Sequence, residues 1–130
     1  MKIAIRVIPL LFALMFLLTS LQWIVDPAGA ARGLEMELQS GLGASTQIGD
    51  LGAFFFASSL LIGFGSLTGR SHWLYAPALL IGSAALIRSL AWASGNAAFG
   101  TKFIVAELVM TALLVAAARL RADEPAPNAG

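Results

Sequence analysis

Long apolar stretches alternate along this chain with short polar or helix-breaking ones. The four apolar segments cover about residues 4–25, 48–68, 73–93 and 101–120. A transmembrane α-helix needs about 20 apolar residues, and inside lipid it must satisfy its own backbone hydrogen bonds. The pattern therefore predicts an all-α, polytopic membrane protein in which residues 1–121 form a bundle of four transmembrane helices. Residues 122–130 are polar, contain two prolines, and are predicted to form a disordered tail.

The first apolar segment also has features of a signal peptide. Lys2 and Arg6 stand near the start of the apolar run, and the small residues AGA at 28–30 are typical of a cleavage site. A signal core usually has only about 7–15 apolar residues, whereas a spanning helix has about 20, as this run does. The length therefore favours a retained first transmembrane helix.

The basic residues outside the apolar cores fall unequally on the two sides of the predicted bundle. One side holds Lys2, Arg6, Arg70, Arg119 and Arg121. The opposite side holds Arg32 and Lys102. Cytoplasmic loops of membrane proteins carry the excess of lysine and arginine, so both termini are predicted to lie in the cytoplasm.

Composition narrows the class of function. Apolar residues make up 58% of the 130 residues and charged residues 12%, against about 25% charged residues in soluble domains. The net charge of +1, without a basic stripe, predicts no nucleic-acid partner. The chain has no cysteine, and its single histidine, His72, cannot bind a metal ion alone. No nucleophile stands with a base and an orienting group, so the sequence predicts no enzyme activity, no cofactor and no metal.

One arginine, Arg88, lies inside the third apolar segment, in the stretch SAALIRSLAW. With the predicted topology, Arg88 lies about 7 Å and Glu107 about 5 Å from the bilayer midplane, both towards the outside. Asp50 and Gln22 fall in the same outer half, near the ends of their helices. A charge near the bilayer centre costs about 3 kcal/mol, so it needs a partner or water. We therefore predict a buried polar cluster of Gln22, Asp50, Arg88 and Glu107, in which Arg88 pairs with Glu107, Asp50 or both.

This predicted cluster has two interpretations. It either fixes the register of the helices, or it forms the floor of an outward-facing pocket for a polar head group, an ion or a proton. Trp92, one turn after Arg88, is a candidate to stack on the guanidinium. Anchoring at the membrane interface also explains Trp92, together with Trp23 and Trp73 at other segment ends.

Small residues recur along one face of the second and third apolar segments. They are Gly52, Ser59, Gly63 and Ser66 in the second, and Ala78, Gly82, Ala85 and Ser89 in the third. Such stripes let helices approach closely, either within the bundle or between two copies of the chain. The longest connection, from Asp26 to Gln47, contains GLEMELQ, which predicts either a short interfacial helix or an ordinary loop.

The order of these features resembles the bacterial family of small four-span membrane proteins catalogued as domain of unknown function four-three-four-five. The likeness runs from about Leu10 to Arg119. It comprises a DP turn after the first helix, GDLGAFFFASSLLIGFG in the second, WLYAPALLIGSAALIRSLAW as the third, and a glutamate early in the fourth. The residues in matching places are Asp50, Gly52, Arg88 and Glu107. The resemblance implies the four-span fold and a retained first helix, and it brings no assigned activity. The expected location is the bacterial inner membrane.

Two functions fit these observations best, and a third, a lipid-modifying or quinone-linked enzyme, ranks last because it needs a redox centre or nucleophile that the sequence does not show. The first is a non-enzymatic accessory or scaffold protein that binds membrane lipid or a membrane protein partner. The second is a small dimeric transporter or proton-coupled carrier, in which Glu107 binds the proton or cation and Arg88 modulates its charge. Small multidrug exporters are similar in length and helix number, but their essential glutamate lies in the first helix, where this chain has none.

Overall fold

The computed structural model describes residues 2–122, and within them the chain folds into five α-helices and one 3-10 turn. These are α1 (Lys2–Val25), α2 (Pro27–Gly33), α3 (Gly41–Leu67), the 3-10 turn (Ser71–Leu74), α4 (Tyr75–Ala93) and α5 (Thr101–Ala122). The predicted all-α class and the four long apolar helices are confirmed. The predicted tail, residues 122–130, lies outside the described residues except for its first residue.

Four helical segments are long and apolar enough to cross a membrane. They are Ile3–Val25, Gly41–Leu67, Ser71–Ala93 and Thr101–Ala122. Their outward faces carry large apolar side chains such as Leu79 and Ile87, which are 71% and 62% exposed. Contiguous apolar surface of this kind is unfavourable in water, whereas in lipid it contacts hydrocarbon chains. The fold therefore indicates a multi-pass membrane protein.

The helix α3 begins earlier than the sequence pattern predicts, at Gly41 instead of about residue 48. Residues 41–47 contain no proline, and Ser40 before them has an extended backbone. At about 1.5 Å per residue, α3 is roughly 40 Å long, which exceeds a hydrocarbon core of about 30 Å. Its first two turns therefore reach into the connection between α1 and α3.

The short helix in that connection, α2, lies upstream of the GLEMELQ stretch. Asp26 is its N-cap, because the carboxylate Oδ1 accepts a hydrogen bond of 2.9 Å from the backbone N–H of Gly29. Pro27 follows at the start of the helix, where a backbone N–H would have no intrahelical acceptor and its absence costs nothing. Residues 34–39 form no helix, so the interfacial-helix prediction for GLEMELQ is wrong and the loop alternative holds. The aspartate cap and the proline define a helix start that GLEMELQ lacks.

Gly29 is required beside this cap, since a Cβ at that position would lie 1.9 Å from Oδ2 of Asp26. Gly29→Ala is therefore expected to displace the carboxylate and remove an N-cap that stabilises α2 by about 1 kcal/mol. We expect hydrogen exchange of the α2 amides to accelerate about fivefold. Gly33→Ala is the matched control, because a Cβ there would meet nothing within 4 Å. Equal acceleration in both variants would contradict the role of the cap.

The four long helices form two antiparallel hairpins, α1 with α3 and α4 with α5. In the first hairpin, the hydroxyl of Ser20 donates a hydrogen bond of 3.0 Å to the carbonyl oxygen of Gly52. A Cβ on Gly52 would lie 3.6 Å from the Cβ of Trp23, so the helices are in close contact here. In the second hairpin, a Cβ on Gly82 would lie 3.3 Å from the side chain of Thr111. The small residues of the predicted stripes thus pack inside the hairpins at these positions.

A shared core closes one end of the bundle, which we call the terminal end. At this end α1 begins, and α3 and α5 end. Its buried side chains include Phe16, Ile62, Leu74, Ile81 and Leu114. The fully buried Leu74 comes from the 3-10 turn, which contacts both α3 and α5. Arg121 adds a hydrogen bond of 2.9 Å from Nη2 to the carbonyl oxygen of Ser66, in the last turn of α3. At the opposite end, the loop end, a cavity separates the two hairpins.

The turn between α4 and α5 fixes the register of the second hairpin. Gly95 has a φ of 75°, a left-handed conformation that glycine adopts without strain. Its N–H donates to the carbonyl oxygen of Trp92 at 2.9 Å, and the N–H of Asn96 donates to that of Ala91 at 2.9 Å. These two bonds form a Schellman motif, which ends α4 and turns the chain back along it.

Candidate functional site

A cavity of about 410 Å³ lies between the two hairpins at the loop end, and we call it the inter-hairpin cavity. All five α-helices contribute to its wall. Most of the wall is apolar, and its polar side chains are Thr19, Gln22, Arg88 and Glu107. Sites for small ligands typically have about 300–1,000 Å³ and combine an apolar wall with a few placed polar groups. The inter-hairpin cavity has both properties.

Arg88 and Glu107 form an ion pair in this wall. The Nε of Arg88 donates a hydrogen bond of 2.9 Å to Oε1 of Glu107. Arg88 lies near the end of α4 and Glu107 near the start of α5. The turn between these helices therefore places the two residues at the same height along the bundle. The Glu107 side chain is 12% exposed and the Arg88 side chain 42%. The carboxylate is therefore held inside, while the guanidinium reaches towards the surface.

This ion pair uses only part of its hydrogen-bonding capacity within the described residues. Oε2 of Glu107 is buried and accepts no hydrogen bond there. Arg88 donates through Nε, and its two Nη groups donate to no residue between 2 and 122. An arginine and a carboxylate often form two parallel hydrogen bonds, whereas this pair forms one. One acceptor and two donor groups are thus available beside the inter-hairpin cavity.

An aromatic ring, Phe103, lies against the guanidinium. The Cζ of Arg88 is 4.9 Å from the ring centroid, and the Nζ of Lys102 approaches the same centroid to 4.9 Å. At a partly exposed guanidinium, a cation–π contact of this kind is worth about 1 kcal/mol. Sequence reasoning missed Phe103, although its position one turn before Glu107 on α5 is a signal that both lie on one helix face.

Trp92, the predicted aromatic neighbour of Arg88, contacts Phe99 instead. The two ring centroids are 4.9 Å apart and the ring planes meet at 60°. Trp92 is 52% exposed at the end of α4, which suits an anchor at the membrane interface. Within residues 2–122, the ring that lies over the guanidinium is Phe103, because α5 folds back along the face of α4 that carries Arg88.

The structure brings Gln22 to the inter-hairpin cavity but leaves its side chain exposed and not buried as predicted, and it leaves Asp50 away from the cavity. Asp50 is exposed, and within residues 2–122 it forms neither a hydrogen bond nor an ion pair. The predicted sharing of Arg88 between two carboxylates is therefore not realised in the described part of the chain. On α3, Leu51, Phe54 and Phe55 line the cavity, and Asp50 lies about a quarter-turn from the centre of that face.

The connection between α1 and α3 forms a roof at the loop end. Trp23, predicted as an interface anchor, is instead fully buried. It packs in one cluster with Ala30 and Ala31 of α2, whose buried face covers it. Ala30 and Leu34 also line the inter-hairpin cavity. The roof and the cavity are therefore parts of one packing arrangement.

Two groups of polar contacts hold this roof in place, and sequence reasoning missed both. Glu35 forms an ion pair with Lys102 at the start of α5. On α3, the side chain of Gln47 accepts a hydrogen bond of 2.6 Å from the N–H of Gln39 and donates one of 3.0 Å to the carbonyl oxygen of Glu37. The early start of α3 is what places Gln47 beside this loop.

Comparisons of this chain with models of known protein families, with curated proteins and with solved structures found no match. The chemistry of the inter-hairpin cavity is that of its own side chains: a neutral ion pair in an apolar wall. The histidine of the chain, His72, lies in the 3-10 turn beside Trp73, at the terminal end. The arrangement at the loop end suits binding of an amphipathic molecule, with a chain on the apolar wall and a head group at the ion pair.

Proposed function

We propose that this chain is a non-enzymatic accessory protein of the bacterial inner membrane, and that it binds one lipid-like molecule in the inter-hairpin cavity. The observation that carries the proposal is a mostly apolar cavity of about 410 Å³ with an ion pair in its wall. The hydrocarbon part of the ligand lies against side chains such as Phe54, Ile81 and Met110. The head group lies at Arg88 and Glu107.

In the proposed topology both termini lie in the cytoplasm, and the inter-hairpin cavity opens within the outer half of the bilayer. The support is the excess of lysine and arginine near the two termini and in the connection between α3 and α4. Arg88 stands five residues before the end of α4, which is about 8 Å of helix. The ligand head group then lies below the membrane interface, and the ligand comes laterally from the outer leaflet.

A second function, a small dimeric transporter or proton-coupled carrier, is favoured by the buried Oε2 of Glu107, which accepts no hydrogen bond within residues 2–122. Carboxylates inside membranes serve carriers as proton or cation sites, and Arg88 would then modulate the charge of Glu107. A carrier, however, needs access to its site from both sides in turn. The core at the terminal end closes one side of this bundle, and for that reason we prefer the accessory function.

The test is native mass spectrometry of the full-length protein extracted gently from its own membrane. Ala84 lines the inter-hairpin cavity one turn from Arg88, so Ala84→Leu fills part of the cavity and leaves the ion pair in place. We expect the retained lipid-like adduct to fall at least about tenfold, because steric changes in an apolar pocket have effects of this size. Ala76→Leu is the matched control, since Ala76 is exposed on the same helix.

The outcomes separate the functions. Loss of the adduct in Ala84→Leu and its retention in Ala76→Leu would support the inter-hairpin cavity as the binding site. Equal retention in both variants would contradict it. A single retained membrane protein in place of a lipid would favour a scaffold, and a homodimer with nothing bound would favour the carrier.

A further inference from the structure

We infer that the molecule held in the inter-hairpin cavity is an uncharged lipid alcohol. Its hydroxyl donates a hydrogen bond to Oε2 of Glu107 and accepts one from an Nη group of Arg88. The inference rests on the proposed function and adds to it the chemical class of the head group. Three observations carry it: the charge of the ion pair, its available hydrogen-bonding atoms, and the wall on either side of it.

The ion pair is electrically neutral, which disfavours a charged head group. The guanidinium and the carboxylate are in contact at 2.9 Å, so a phosphate beside Arg88 would also lie within a few ångströms of Glu107. Attraction by the guanidinium is therefore partly cancelled by repulsion from the carboxylate. The charged residues that line the cavity are this pair alone among the described residues. The desolvation of a phosphate there would therefore be only partly compensated.

The available atoms of the pair match a hydroxyl group. Oε2 of Glu107 is buried without a donor, and the Nη groups of Arg88, whose side chain is 42% exposed, are free to donate. A hydroxyl is both a donor and an acceptor, whereas an ether or ester oxygen only accepts. An acceptor-only head group would leave the buried Oε2 without a partner, which is unfavourable. An ammonium group would satisfy Oε2 but would meet the positive charge of Arg88.

The wall beside the pair orients the rest of the molecule. Ala84 lies one turn from Arg88 on α4, and Met110 lies one turn from Glu107 on α5. Both are displaced from the pair towards the middle of the bundle, where Phe16 and Ile81 continue the apolar wall. The chain of the alcohol therefore runs from the pair towards the terminal end. A hydroxyl, which is less costly to desolvate than a charged group, suits this depth.

The inference is tested with three probes that share one alkyl chain and differ only in the head group: dodecanol, its methyl ether and its phosphate monoester. Binding to the delipidated full-length protein in detergent is followed by native mass spectrometry and by thermal shift. We expect dodecanol to bind at least about tenfold more tightly than either analogue, because it alone satisfies Oε2 without adding charge. Ala84→Leu is expected to weaken the binding of all three probes, whereas Ala76→Leu is expected to leave the binding of each unchanged.

Glu107→Gln changes the expected order of the probes without changing the shape of the cavity. The carboxamide replaces the free acceptor by a donor, and it leaves the charge of Arg88 uncompensated. The preference for dodecanol over the methyl ether is then expected to fall to about one, and the phosphate monoester is expected to become the tightest of the three. If Glu107 only supported the fold, Glu107→Gln would weaken the binding of all three probes together and would leave the order of their affinities unchanged.

The outcomes distinguish the inference from the proposed function. If the wild-type protein binds the three probes equally, or prefers the phosphate, the alcohol inference is overturned while the cavity remains a lipid site. If it binds none of them, both proposals fail. If it prefers dodecanol and Glu107→Gln inverts that preference, the inference holds. The mass of the adduct retained from the native membrane then shows whether the alcohol is a glycerol-based lipid or an isoprenoid.

Discussion

Arg88→Met is expected to lower the free energy of unfolding by about 3 kcal/mol, whereas Arg88→Met/Glu107→Leu is expected to leave it unchanged or higher. Removing Arg88 leaves the Glu107 carboxylate, whose side chain is only 12% exposed, without its compensating charge. Removing both partners replaces the pair by apolar groups that suit an apolar surrounding. The loss falls at the lower end of the usual range because Arg88 itself is 42% exposed.

The measurement is reversible unfolding of the protein in bicelles or mixed micelles, analysed as a double-mutant cycle. Lys102→Met is the matched control, since it breaks the ion pair with Glu35, whose two side chains are 59% and 63% exposed. An exposed pair of this kind contributes about 0–1 kcal/mol. A double variant as unstable as Arg88→Met, or a control with the same loss, would contradict the assignment of Glu107 as a largely buried carboxylate that Arg88 compensates.

Trp23→Ala is expected to lower the free energy of unfolding by about 3–5 kcal/mol, the range for truncating a buried tryptophan. Trp23 is fully buried and packs against Ala30 and Ala31, so its removal leaves a void beneath α2. Hydrogen exchange across residues 27–40 is expected to accelerate as the roof loses this support. Trp23→Phe is expected to lower the free energy of unfolding much less. An aromatic ring still fills most of the space, and the indole Nε1 group, which has no partner within residues 2–122, is removed.

Trp92→Ala is the control for this prediction, since Trp92 is 52% exposed and makes one edge contact with Phe99. Trp92→Ala is expected to lower the free energy of unfolding by about 1 kcal/mol, with no change in the hydrogen exchange of residues 27–40. The same unfolding assay measures both variants. A loss in Trp92→Ala as large as in Trp23→Ala would mean that burial does not separate the two tryptophans.

The sequence was sufficient to predict the helices and one half of the polar site. Lipid leaves few choices for a backbone, so the length of each apolar run predicted the four long helices. The similar depth of Arg88 and Glu107 in the bundle was also predictable, because a short turn makes consecutive helices antiparallel neighbours with little freedom to slide. The hydrogen bond between Arg88 and Glu107 has the geometry that this register allows.

The rotation of each helix about its own axis was not predictable from the sequence. Leu and Ile occur on every side of α1, so nothing in the pattern distinguishes the buried Trp23 from the exposed Ile24 beside it. The same ambiguity placed Asp50 in the predicted cluster. The helix α2 was missed for another reason: its seven residues, PAGAARG, are too short and too small to show a period. Its signal was the Asp26–Pro27 start, which the sequence pattern predicts only as a turn after the first apolar helix.

The pairing of the helices as two consecutive hairpins has a consequence for biosynthesis. Each hairpin consists of neighbouring segments of the chain, so during synthesis in a membrane the first could pair before the second is complete. The inter-hairpin cavity forms only when the second hairpin docks on the first. A ligand that occupies this cavity at 100 times its Kd would favour the docked state by about 2.7 kcal/mol. The supply of that ligand in the surrounding membrane would then raise the fraction of chains in which the two hairpins are docked.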